Sequence, residues 1–298
     1  MTPTKKQTRT ERIVVGVDSE PPSMLAARWA AHRAADRGSS IELVTAIDEL
    51  ATDPLDASDR LRVVSAAVHE IAPDVHVTTA EIEGSIRNVL MRRSEAADLL
   101  VLGFHRSRPI RSALSGSVPL GMAAESSCPT VVVPEDWDET NVGGAIVIGV
   151  EVDGSSDAAV EFAANEASNG SELQVLHGWR LPPSSVDPLA AMVIDPAQEG
   201  EWHRAVLAQV ADAVRAAFPD VVVHEELTES FAARALVEGG RRASMIVMGS
   251  HGRGTIGSLV LGSTTRDVIH ISSTPVCVVR SGHGHSSKAQ AEHARQGA

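Results

Sequence analysis

The chain contains a copy of itself. Leu100 to Gly103 (LVLG) recurs as Ile246 to Gly249 (IVMG), Gly116-Ser117 recurs as Gly262-Ser263, and Pro129 within SSCPTVVV recurs as Pro275 within SSTPVCVV. Each pair stands 146 residues apart, so the C-terminal parts of the two halves align without gaps. Near the front the displacement is 133 residues, from Ile13 to Val17 (IVVGV) onto Ile146 to Val150 (IVIGV) and from Trp29 onto Phe162. Repetition on this scale restricts the chain to two similar folding units. Apart from a one-residue slip before the second strand, the length difference lies between Ala46 and Pro73 in one half and Gly178 and Pro219 in the other. There the Pro-rich stretch Trp179 to Gly200 reads as an inserted loop.

Each half alternates short apolar runs with amphipathic stretches. In the first half strands are expected at 13–17, 41–47, 75–80, 99–103 and 129–134, and helices at 23–37, 57–71, 85–96 and 116–125, with the same order in the second half through Arg280. Strands that alternate with helices and carry fully apolar runs predict right-handed crossovers and open parallel sheets covered on both faces. The expected division is a disordered N-terminus at 1–10, a first domain at 11–134, a polar linker at 135–144, a second domain at 145–280 and a disordered tail at 281–298.

Composition removes several functions. With 26 Lys and Arg against 39 Asp and Glu the net charge is −13, which repels nucleic acid and anionic membranes. Aromatic side chains number four Trp, four Phe and no Tyr, too few for base-stacking platforms, so the core must be aliphatic. No apolar run reaches the ~20 residues of a membrane span, and the polar stretch from Met1 to Glu11 lacks the core of an export signal. Cys128 and Cys277 read as buried small hydrophobes in a reducing, cytoplasmic setting.

Ligands of open α/β sheets lie beyond the carboxyl ends of the strands. After the fourth strand of the second half comes Gly249-Ser-His-Gly252, followed by nine residues and Gly262-Ser263 at a helix start. Glycines let backbone approach a phosphate, and a helix N-terminus offers N–H groups whatever the total charge. Taken alone, such a loop is either a phosphate cradle or a turn of the chain. His251 and His105 sit in these loops, Arg108 and Arg111 flank the first, and His283, His285 and His293 lie in the tail; none forms a metal-ligand pattern.

The whole pattern, GxxG, nine residues, then G(S/T), resembles the ATP-binding subgroup of the universal stress protein family. Val15 to Asp18 (VGVD) and the terminal CPTVVV and TPVCVV runs extend the likeness over both repeats. The resemblance implies two tandem Rossmann-like domains of the adenine nucleotide alpha hydrolase-like type, each an open five-stranded parallel sheet in 3-2-1-4-5 order. It also implies ATP or another adenine nucleotide as ligand, with Mg²⁺ accompanying it. The second half supplies Gly249, Gly252, Gly262 and Ser263; the first supplies Gly103, Gly116 and Ser117, but Arg106 replaces the second glycine. Arg106 either pairs with phosphate or fills the cradle, and the restricted backbone of a non-glycine residue favours obstruction. The family's first-strand aspartate, which contacts the adenine end, corresponds to Asp18. In the second half the spacing gives Glu151, unless a bulge brings in Asp153. A carboxylate at a strand end also reads as a plain helix cap. Ala46 and Gly178 end the second strands, where the family reads adenine through backbone groups. The second site ranks ahead of the first, because phosphate contributes more charge-assisted hydrogen bonds than one adenine contact.

The expected function is therefore a nucleotide-dependent regulatory module with an unidentified protein partner. Neither GKS nor GKT, GxSxG nor HExxH occurs, and the positions after the first strands read DSEPPS and EVDGSS. A scaffold that works without nucleotide, or a slow ATPase, is the alternative. The family associates through its last strands, so Thr130 to Val133 and Val276 to Val279 are expected to form an intramolecular pseudo-dimer, with a homodimer through other surfaces.

Overall fold

A computed structural model of the protein describes residues 10–47, 57–106, 117–151, 154–181, 195–250 and 261–280. Both expected termini, Gly116, Gly252, His251, Asp153, Arg108 and Arg111 lie outside them. The first lobe runs β1 (Arg12–Gly16), α1 (Pro21–Arg37), β2 (Ser40–Ile47), α2 (Ala57–Ile71), β3 (Val77–Glu83), α3 (Ile86–Ser94), β4 (Leu99–Phe104), α4 (Val118–Glu125) and β5 (Thr130–Pro134). The second runs β6 (Ile146–Gly149), α5 (Asp157–Ala167), β7 (Leu173–Trp179), α6 (Pro196–Ala217), β8 (Val223–Glu229), α7 (Ala232–Gly239), β9 (Met245–Gly249), α8 (Ser263–Ile271) and β10 (Val276–Val279).

The strands form one ten-stranded sheet in the order β3-β2-β1-β4-β5-β10-β9-β6-β7-β8, so each lobe has the expected order and the second mirrors the first. Pairing is parallel within lobes. Among the described residues it is antiparallel only between β5 and β10, where Val132 faces Val276, Val131 faces Cys277 and Thr130 faces Val278. Every residue of these two strands is buried, as expected of β-branched runs with both faces covered. The outermost strands, VTTAEIE and VHEELTE, instead carry glutamates and partly exposed positions that discourage edge pairing. One apolar cluster runs through both lobes, from Ile13 and Val131 to Ile148 and Val279, so the two repeats share a core.

Three local expectations are revised. α1 starts at Pro21 rather than Ser23: Pro21 and Pro22 sit in the first turn, where N–H groups have no helical partner, and Gly38 closes the helix at φ 67°. The inserted segment ends in helix rather than loop, since Asp195 accepts a hydrogen bond from the Ala197 amide and starts α6 at Pro196. The stretch expected as a polar linker is packed: Trp137 is buried, and residues 139–141 form a short 3₁₀ turn capped by Asp138.

Charged groups lock the lobes on the α1–α5 face. Arg33 is 7% exposed and Glu166 6%; they meet at 2.5 Å, while Arg33 also pairs with Glu11 at 2.7 Å and Arg37 with Glu166 at 2.9 Å. Glu139 accepts from Arg28 at 2.6 Å and lies 3.1 Å from His32. The Arg28 hydrogen bond holds the Glu139 carboxyl below its ordinary 4.5. Burial works to raise Glu11, but hydrogen bonds from Arg33 and Ser39 and the Arg37 charge bring it net below 4.5.

Breaking a buried pair leaves a charge without its counterion, so Arg33→Ala is expected to cost about 3–5 kcal/mol, read as a lower urea midpoint. Because the Glu11 and Glu139 carboxyls are depressed in the folded state, the stability they add is present above 4.5 and lost as pH falls through their folded values. Glu139→Gln should remove part of that acid sensitivity in melting curves taken between neutral pH and pH ~3.

Candidate functional site

In the second lobe the strand ends build a cavity of about 270 Å³, close to the ~300–1,000 Å³ usual for small-molecule sites. β9 ends at Gly249, the Ser250 amide donates to the Val279 carbonyl at 3.0 Å, and the Gly262 amide donates back to the Ser250 carbonyl at 2.9 Å. The two stems of the intervening loop are thus pinned together. Gly262 is the N-cap of α8 and makes no side-chain cap, so the amides of Ser263, Thr264 and Thr265 open the helix without an intrahelical partner. All three residues line the cavity, at the positive end of the helix dipole. Thr265 donates its hydroxyl to the Gly249 carbonyl at 3.0 Å, tying the helix start to the strand end.

The opposite wall comes from β6 and β7. Glu151 follows β6, and its amide donates to the Ser156 hydroxyl at 3.0 Å. Gly178 lines the cavity on β7; a Cβ there would lie 2.8 Å from Ala232 Cα, so glycine is what lets α7 close against the sheet. Gly149 serves the same end, since its Cβ would lie 2.9 Å from a Leu236 methyl. Behind this wall His177 is buried, with Nδ1 2.8 Å from the Val150 carbonyl and Nε2 2.9 Å from His203 Nδ1. A carbonyl only accepts, so Nδ1 carries the proton, and in the neutral ring Nε2 accepts from His203. His177 thereby secures the backbone immediately before Glu151.

Five residues singled out by sequence, Glu151, Gly178, Gly249, Gly262 and Ser263, share this cavity. The amide expected to be free on Gly262 is spent on Ser250, and the amides without an intrahelical partner lie one to three residues later. Ser156, Thr264, Thr265 and His177 escaped sequence reasoning. The one available signal was a histidine inside the largely apolar run LQVLHGW.

The first lobe is built differently. Asp18 accepts from the Glu20 amide at 2.9 Å, and Ser23 donates to the Asp18 carbonyl at 3.0 Å, so this carboxylate organises the turn into α1. The crowded strand end under Asp18 raises its carboxyl above the ordinary 3.8 against those hydrogen bonds. Gly103 has a packing reason: a Cβ would lie 2.3 Å from the Pro22 carbonyl, where α1 crosses β4. Ala46 is half-buried on β2 opposite Ile82, and Ser117 is the N-cap of α4. Arg106 turns away to Asp136, at 2.6 and 3.0 Å, and to the Ser272 carbonyl, so its guanidinium is committed elsewhere than to either expected role. His105 is half-buried and lies 2.6 Å from Glu135 rather than facing open solvent. Both cysteines are buried, and loss of water pushes the Cys128 thiol up to about 12 and raises Cys277 as well.

A model described as the universal stress protein family matches residues 9–134 and again residues 144–280. The chain belongs to the universal stress protein family. It is a tandem member with two copies of the family domain. A universal stress protein of Mycobacterium tuberculosis is 30% identical over 293 residues, covering 90% of this chain and 96% of the relative. One from Mycolicibacterium smegmatis is 30% identical over 288 residues with the same coverage, 90% and 96%. Among solved structures, a universal stress protein from Archaeoglobus fulgidus superposes with a TM-score of 0.63 at 18% identity, over 90% of this chain and 96% of that one. A functionally unknown protein from Pseudomonas aeruginosa superposes at 0.64 with 17% identity, over 91% and 92%. These superpositions establish the shared fold. Among the described residues of this family member no helix is long and apolar enough to cross a membrane, and no group of three or more His, Cys, Asp or Glu could hold a metal.

Gly178→Ala should overpack the β7–α7 contact and lower stability by about 1–3 kcal/mol, measured by chemical denaturation. A cost below about 0.5 kcal/mol would mean that α7 does not depend on this close approach.

Proposed function

We propose that this tandem universal stress protein binds an adenine nucleotide, ATP with its Mg²⁺, in the second lobe and signals by occupancy rather than by rapid turnover. The observation that carries the reading is the uncapped start of α8, which opens onto a cavity at the carboxyl ends of β6 and β9. Backbone amides and the hydroxyls of Ser263 and Thr264 are groups that hold phosphate oxygens. They do so locally, despite a net charge of −13 on the whole chain. The Glu151 and Gly178 wall takes the nucleoside end: a carboxylate accepts from hydroxyl or amino groups, and the close backbone at Gly178 offers polar edges to the base. Mg²⁺ would travel on the phosphates, neutralising part of their charge.

In the cytoplasmic setting we propose, a protein partner reads the occupied state. We give the first lobe a structural role rather than a second equivalent site, because the residue at its second glycine position is an arginine whose guanidinium is held by Asp136 and Ser272 and is not available to a phosphate. A scaffold that needs no nucleotide is the second reading, favoured by that same departure in the first lobe.

Titration of the purified full chain with ATP and Mg²⁺ by calorimetry should saturate near one equivalent. Gly262→Glu, which sets a carboxylate at the helix start, should weaken binding by more than about a hundredfold, or ~2.7 kcal/mol. Absence of saturation by any adenine nucleotide at millimolar concentration, or unchanged affinity in Gly262→Glu, favours the scaffold.

A further inference from the structure

The residue that breaks the glycine pattern of the first lobe is one that reaches into the second. Arg106 follows β4, forms its two-pronged pair with Asp136 at 2.6 and 3.0 Å, and donates to the carbonyl of Ser272. Ser272 is buried and ends α8. Two residues before Arg106, Phe104 meets the ring of His270 on α8 edge-on, with centroids 5.1 Å apart. The first lobe therefore grips the last turn of the helix whose first turn walls the second-lobe cavity. A mirror contact exists: Arg280 donates to the Glu125 and Ser126 carbonyls at 2.8 and 3.2 Å, at the end of α4. The two arginines are not equivalent in the repeat. Arg106 stands where the second half has Gly252, and Arg280 where the first has Pro134.

We propose that Arg106 is a positioning residue for the second-lobe site and couples that site to the seating of one lobe on the other. The proposal rests on the reading of the cavity as a nucleotide site. α8 has nine residues, a rod of ~13.5 Å whose two ends move together. The last carbonyls of a helix lack partners and attract a cation, as its first amides attract an anion. A guanidinium on the Ser272 carbonyl and a phosphate at Ser263 to Thr265 thus draw on the same short helix from opposite ends. Holding the last turn sets where the first-turn amides point. The coupling is reciprocal: bound nucleotide resists withdrawal of α8 from Arg106, so occupancy tightens the lobe interface. Such a contact supplies a route by which a site in one lobe alters the surface of the other.

The test compares the full-length wild type with Arg106→Ala, Arg106→Lys and Arg280→Ala, using calorimetry with ATP and Mg²⁺ and thermal melting. Arg106→Ala should weaken nucleotide binding about 5- to 20-fold although the residue belongs to the other lobe. Arg106→Lys should recover most of the loss, because an ammonium still donates to the carbonyl. Arg280→Ala removes the cap on α4 and should leave affinity within about twofold, even if it lowers the melting temperature equally. Wild-type affinity in Arg106→Ala, or an equal loss in Arg280→Ala, overturns the proposal. Hydrogen exchange without ligand separates this proposal from the nucleotide reading beneath it: Arg106→Ala should raise exchange at Arg266 and Asp267, the first hydrogen-bonded amides at the far end of α8. Unchanged exchange there overturns the coupling whatever ATP does, whereas failure of the wild type to bind nucleotide overturns the reading of the cavity. If Arg106→Ala does not fold, Asp136→Asn, which removes the carboxylate that orients the guanidinium, should raise the same exchange to a smaller degree, and no rise overturns the proposal.

Discussion

The antiparallel pairing of β5 with β10 is the constraint from which the rest of the molecule follows. Both strands are apolar on both faces and would each present an open edge if their lobes stood alone. Joining Thr130, Val131 and Val132 to Val278, Cys277 and Val276 removes both edges at once and turns two five-stranded sheets into one. Because the pairing is antiparallel, the carboxyl ends of the strands in one lobe lie beside the amino ends in the other. Arg106, just after β4, consequently meets Ser272, which precedes β10, and Arg280, just after β10, meets the end of α4.

Electrostatics then distinguishes faces that hydrophobic burial alone would leave interchangeable. On one face Arg33 and Glu166 are buried together and serve as a register mark between α1 and α5. Desolvation cancels much of the Coulombic gain of such a pair, so its effect lies more in the penalty for wrong seating than in net stability. On the other face the charges are caps, placed where helix carbonyls would otherwise lack partners. The start of α8 has no side-chain cap, and its local positive end offsets the negative field of the chain over a few ångströms.

The twin lobes have diverged at their functional edges while keeping one fold. Glycines illustrate the two pressures. Gly103 and Gly178 both occupy positions that the family resemblance gives to a ligand, yet a Cβ at either would strike backbone of a neighbouring helix. Packing alone accounts for them. Gly262 is different: its backbone caps α8 and bonds to Ser250, and the residues that follow it line the cavity.

The alternation of strands and helices, the parallel crossovers and the tandem division were legible in the sequence, because they depend on local apolar runs and on a repeat that can be counted along the chain; the strand order followed from the family resemblance. Glu151, Gly249, Gly262 and Ser263 could be placed together for the same reason. Where the Arg106 guanidinium goes, why Trp137 is buried, and how His177 supports the backbone before Glu151 were not legible. Each depends on a partner distant in the chain, Ser272, the α1 face or His203, whose position is set only once the sheet has closed. The amino-acid order by itself determined what each lobe is, since side-chain periodicity and glycine placement act over a few residues. Only the tertiary structure decided that Arg106 of one lobe holds a helix of the other, since the direction of a long side chain is settled by which carbonyls and carboxylates the folded chain brings within its reach.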